Sequence, residues 1–96
     1  MQTPVEHADV TLTELGFVPR SLTLKLHGTI SFSTTLDKPF WPASDIHPDH
    51  GIYPEFDPGK PLHPGETWAF TFERTGRFNM HDHLRSYFTG TIYVVE

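Results

Sequence analysis

Ninety-six residues suit one domain and leave no room for two. Three alanines against nine prolines, seven glycines and thirteen aromatics disfavour helices and favour strands and turns. The absence of cysteine excludes disulfides, thiolate metal sites and thiol nucleophiles, and a net charge of −5 without any basic stripe excludes a nucleic-acid binder.

Taken in chain order, Met1-Gln2-Thr3-Pro4 is not a signal peptide, which leaves a cytoplasmic protein or one whose leader has been removed. Period-two alternation then dominates: Val10 and Leu12 against Thr11 and Thr13, and Leu22, Leu24 and Leu26 against Ser21, Thr23 and Lys25. After a predicted turn at His27-Gly28, Ile30 and Phe32 alternate with Ser31 and Ser33. Trp68, Phe70 and Phe72 alternate with Thr67, Ala69, Thr71 and Glu73; Phe78 and Met80 follow the turn at Thr75-Gly76; Ile92 and Val94 lie in a last strand after Gly90. Each run reads as a strand with one face on a core and one in water. Six or more such strands and no credible helix predict an all-β sandwich or small barrel over residues 1–96. No apolar run approaches the ~20 residues that span a bilayer.

Residues 39–65 break the pattern. They carry seven of the nine prolines, which rules out a central strand because proline donates no ladder hydrogen bond. Phe40, Trp41, Ile46, Ile52, Tyr53 and Phe56 in the same stretch need burial, so a proline-stiffened, aromatic-pinned ordered loop is predicted, of the kind that carries function.

Seven histidines are the one compositional excess that points to chemistry. His7, His27 and His63 read as surface or turn residues. His47 and His50 form H-P-D-H inside the stiff loop, one tight turn apart with Pro48 at its corner. His81 and His83 form H-D-H at the end of a strand, where positions i and i+2 project to one face and Asp82 points away. Each pair can present two imidazoles to one ion, and neutral imidazole suits Cu, Zn, Ni and Fe. The bland alternative is two separate solvated patches. Asp45, Asp49, Glu55, Asp57 and Asp82 crowd the same segments, as further ligands, as acceptors orienting imidazole N–H groups, or, the simplest reading, as solvated loop carboxylates. No G-x-S-x-G elbow, carboxylate pair or glycine-rich phosphate loop is present.

Three segments resemble the cupredoxins, the plastocyanin–azurin family. Gly16 through Phe32 (GFVPRSLTLKLHGTISF) is similar to the family's opening F-x-P-x-x-L-x-V strand and glycine turn, and Leu62-His63-Pro64-Gly65-Glu66-Thr67-Trp68 to its L-x-P-G-x-T motif. Gly76 to Val95 resembles the final hairpin that carries the copper ligands. Matching that hairpin backwards from Gly90 puts Phe88 at the methionine position, His83 at the histidine position and Met80 at the cysteine position, while the upstream histidine falls near Phe40-Trp41. One blue-copper ligand of four is kept, and without the copper–thiolate bond an ordinary blue electron carrier is excluded. His81-Asp82-His83 also resembles the H-x-H segments of multicopper oxidases. The loop from Trp41 to Pro58 looks like a W-P-x-S-x-x-H-P-x-H-x-x-Y-P-x-F-D-P pattern of secreted bacterial cupredoxin-like domains.

The resemblance implies a cupredoxin-like Greek-key β-sandwich, a periplasmic or extracellular home, and a non-blue site in which His47, His50, His81 and His83 hold one copper ion. Such a site suits Cu(II), with zinc as the alternative, and serves copper binding, storage or delivery, or slow redox chemistry with a redox or copper-transfer protein as partner. Trp41, Tyr53, Phe56 and Phe88 would wall it, with Met80 in the core beneath or serving as a soft ligand. Two rivals stand beside this reading: a subunit of an oligomeric copper oxidoreductase sharing histidine-ligated copper between chains, and a metal-free protein-interaction module. As a monomer the chain reads as a binding protein rather than an enzyme.

Overall fold

The longest strand organises the fold. The computed structural model describes residues 4–44 and 55–96, and in it Ser21–Thr34 (β3) runs through both halves of an all-β sandwich. The other strands described are Val5–Thr13 (β1), Gly16–Val18 (β2), Pro42–Ser44 (β4), Trp68–Thr71 (β5), Gly76–Asp82 (β6) and Arg85–Val95 (β7). Their order in the sheet is β2-β1-β3-β7-β6-β4, with β5 also on β3. The first half of β3 pairs in parallel with β7, from Ser21↔Thr91 to Lys25↔Val95. Its second half pairs with β1 in parallel, from His7↔Thr29 to Leu12↔Thr34, and with β5 antiparallel, from Thr29↔Thr71 to Phe32↔Trp68. One strand thereby hands the chain from one layer to the other.

That exchange corrects the turn predicted at His27-Gly28. The chain does not reverse there; it bulges. Between Val5 and His7, β1 advances two positions while its partner on β3 moves from Leu24 to Thr29. His27 takes the left-handed conformation with φ 71°, uncommon for a residue with a side chain, and its Nδ1 lies 2.9 Å from Glu73 Oε2. Gly28 is buried, and a Cβ there would lie 2.8 Å from both the Leu24 side chain and the Lys25 carbonyl oxygen, so the bend depends on the missing side chain. Backbone bonds from His27 N to Phe72 O and from Phe72 N to Gly28 O fasten the bulge to the chain just beyond β5.

The inward parities predicted from alternation form the core. Val10, Leu12, Leu24, Ile30, Phe32, Phe72, Met80 and Ile92 are fully buried, joined by Phe40 and Phe56 from the proline-rich stretch. Phe56 lies within 5.1–6.1 Å, centroid to centroid, of Phe32, Trp68, Phe70 and Phe72. The stretch is fastened at its base by paired backbone bonds between Phe40 and Leu62 and by Ser44 N donating to Phe56 O. It also holds one short edge strand, which the exclusion of a central strand leaves open. β4 is three residues long and lies at the sheet edge with Pro42 at its first position, where a missing N–H breaks no central ladder.

Candidate metal centre

Burial along the end of β6 alternates: Phe78, Met80 and Asp82 face inward, Asn79 and His81 outward. His81 lies between Ala43 of β4 and Thr89 of β7, beside a small neighbour on the β4 side. The strand ends at Asp82, and His83-Leu84 make a two-residue turn into β7 at Arg85. His83 therefore sits on the turn and not in the strand, yet the turn carries its ring back towards His81. His81 Nε2 and His83 Nδ1 stand 3.2 Å apart, with ring centroids separated by 5.4 Å.

The indole of half-buried Trp41 lies 5.0 Å from the His83 ring at 46°, and His83 N donates to Trp41 O at 2.7 Å. Trp41 is held at two further points. Its indole N–H donates to Asp57 Oδ1 at 2.7 Å, an oxygen that also accepts from Gly59 N at 2.8 Å. Its amide donates to Asp82 Oδ1 at 2.9 Å.

Asp82 overturns the reading of a solvated loop carboxylate. It is the only buried charged residue among the described residues, with no exposed surface. Oδ1 accepts from the amides of Trp41 and Leu84, and Oδ2 lies 3.0 Å from Arg85 Nε in an ion pair. Arg85 Nη2 continues to Pro39 O at 2.6 Å. One side-chain pair thus ties the Pro39–Trp41 segment to the turn that carries His83. The sign was available in the sequence: Asp82 shares the inward parity of Phe78 and Met80, and a carboxylate on a core face needs a cation close by, here three residues on.

Of the expected site residues that are described, Phe56, Phe88 and Met80 lie away from the histidine pair. His47, His50, Asp45, Asp49 and Tyr53 fall outside the described residues. Phe56 is a core residue and not a wall of the site, since its ring is spent on the aromatic cluster. Phe88 packs on Tyr87 at 4.6 Å and helps line a cleft of about 540 Å³ with Leu36, Lys38 and Arg85, whose lining contains neither His81 nor His83. Met80 is fully buried, and a Cβ at Gly90 would come within 2.6 Å of its Cε, so it belongs to the core and not to a solvent-reachable ligand set.

Among the described residues, no group of three or more His, Cys, Asp or Glu side chains converges as a metal cage. The histidine pair alone passes a test of fit. With metal–imidazole bonds of ~2.0–2.1 Å, two nitrogens 3.2 Å apart subtend roughly 100° at an ion. That lies between the ~90° of a tetragonal site and the ~109° of a tetrahedral one. The two nitrogens already have the spacing of a chelate.

No protein-family model and no curated protein matches the sequence. Solved structures do match. A purple cupredoxin from Nitrosopumilus maritimus superposes with a TM-score of 0.76 at 18% identity, over 91% of this chain and 98% of that one. Amicyanin from Paracoccus versutus gives 0.76 at 18% identity, over 96% of this chain and 84% of its own. A Cu-containing nitrite reductase from Thermus scotoductus SA-01 gives 0.76 at 22% identity over 98% of this chain, which spans only 23% of that enzyme. The chain has the cupredoxin fold, a Greek-key β-sandwich. No helix among the described residues is long and apolar enough to cross a membrane.

The burial of Met80 leads to a first expected result. Met80→Cys, loaded with Cu(II), should show no intense visible charge-transfer band. A thiolate there would face the apolar core, whereas His81 projects from the opposite face of β6. Absorption spectra with and without copper check this, and an intense blue band would show that the inward face of β6 admits both metal and imidazole.

Proposed function

We propose that the chain is a copper-binding domain whose metal is held by His81 and His83, with His47 and His50 of the proline-rich loop completing the ligand set. The observation that carries the reading is the 3.2 Å approach of His81 Nε2 to His83 Nδ1 on an outward-facing surface beside Trp41. The fold shared with a Cu-containing nitrite reductase and with cupredoxins supports copper over other imidazole-loving ions, and zinc is the competitor to measure. A bound copper supplies a one-electron couple. The chain's own residues orient the imidazoles and, through Trp41, cover one side of His83. Storage or delivery of copper, or slow electron exchange in a periplasmic or extracellular setting, fits an exposed, thiolate-free pair.

Titration of tag-free protein with Cu(II) tests the reading. One tight ion per chain is expected. His81→Ala or His83→Ala should weaken it by about 10²-fold or more, because losing one arm of a chelate removes the effective concentration of the other. Two weak sites, each surviving loss of the other histidine pair, would refute a single shared centre. Purified protein that neither contains nor takes up metal would favour the interaction-module reading instead.

A further inference from the structure

His83 is exposed and stands on a two-residue turn, so only its 3.2 Å contact with His81 and the Trp41 ring restrain its imidazole, whereas His81 is flanked by strands on both sides. A chelate that must first order an exposed side chain loses affinity to that ordering. Trp41 meets this need. Its indole covers the His83 ring at 5.0 Å, its carbonyl accepts the His83 amide at 2.7 Å, and its position is set from both ends by carboxylates. Asp57 holds the indole nitrogen at 2.7 Å, and buried Asp82 holds the backbone amide at 2.9 Å.

We infer that Trp41, anchored through its indole by Asp57 and through its amide by Asp82, is a positioning residue that fixes the His83 imidazole with Nδ1 facing His81. Trp41 contributes no ligand atom; it selects the orientation of one. The inference deepens the copper reading and rests on it for its consequence, while the orientation itself belongs to the metal-free chain. Asp57 acts on the metal only through Trp41, so an exposed carboxylate sixteen positions from Trp41 is tied to the behaviour of His83.

The test compares the full chain with Trp41→Leu and Asp57→Ala in two measurements. In the metal-free protein, the His83 ring protons are expected to be displaced by the ring current of the indole 5.0 Å away, and both variants should move them towards their unperturbed positions. In Cu(II) titrations against a competing chelator, Trp41→Leu should bind about 10- to 100-fold more weakly, and Asp57→Ala should shift affinity in the same direction by a smaller factor. Asp57 is exposed, so its variant carries the test if Trp41→Leu fails to fold. His83 resonances and Cu(II) affinity unchanged in both variants would overturn the inference. If the native chain takes up no Cu(II), the copper reading falls, and the metal-free His83 resonances still decide whether Trp41 positions the ring.

Discussion

Phe56→Ala is expected to destabilise the protein by about 3–5 kcal/mol, the cost of removing a fully buried phenyl ring and leaving a cavity that its neighbours cannot close. Rigidity of the surroundings puts this site towards the upper part of that range. Phe72 meets the ring edge-on at 75°, Phe70 lies nearly parallel at 13°, and Phe32 and Trp68 flank it, so collapse would require several rings to turn together. A domain of this size is typically stable by about 5–15 kcal/mol, so the change removes a fifth or more of the total. At ~4–8 °C per kcal/mol, the thermal midpoint should fall by roughly 12–40 °C. Urea unfolding followed by tryptophan fluorescence gives the free energy directly. A loss under about 1 kcal/mol, accompanied by weakened Cu(II) binding, would return Phe56 to the walls of the metal site and overturn its assignment to the core.

The contrast between Phe56 and Trp41 shows how far sequence reading reaches. Both are aromatics in one proline-rich stretch, and composition says only that such residues need cover. Strand faces were legible because alternation is a local signal: the parities of Val10, Leu22, Leu24, Ile30, Phe32, Phe78, Met80 and Ile92 all emerge on the buried side. Neighbour relations were not legible. Whether β3 lies beside β1 or β7 depends on which faces find each other in three dimensions, and β3 uses both. A His-Gly pair between two alternating runs suggests a hairpin turn, whereas here His27 takes the positive φ and the chain bulges. β4 leaves no sign in the sequence because three residues carry no periodicity and its partner is about forty positions away.

At the site, the H-D-H spacing anticipated two imidazoles on one side, but for a partly different reason. Period two accounts for His81, while His83 returns through a turn stabilised by Asp82 Oδ1 accepting from Leu84 N. The links of Trp41 to Asp57 and to Asp82 span 16 and 41 positions, so no local pattern could reveal them. Outward projection and inward clamping are thus two halves of one arrangement: the residue between the histidines anchors the turn from which the second is displayed.

That anchoring role sets the other large expected effect. Asp82→Ala should cost about 3 kcal/mol, the lower end of the range for breaking a buried ion pair, because the surviving Arg85 side chain is 20% exposed and can recover some solvent. The amides of Trp41 and Leu84 lose their acceptor in the same step, and only the exposed turn gives Leu84 ready access to water. The double variant Asp82→Leu, Arg85→Met removes both charges and puts apolar groups of similar size in their place. Such exchanges are often neutral or stabilising, so the pair itself should contribute little, and what persists is chiefly the orphaned Trp41 N–H, a cost of about 1–3 kcal/mol that Asp82→Ala bears too. The double variant is therefore expected to be no less stable than Asp82→Ala, although it carries one more substitution. Denaturant unfolding of Asp82→Leu, Arg85→Met and the double variant closes the cycle. Additive losses would show that Asp82 and Arg85 act independently. A coupled result, together with weakened Cu(II) binding in the double variant, would separate the two tasks: the charges serve each other, and the Asp82 oxygen serves the backbone that holds Trp41 against His83.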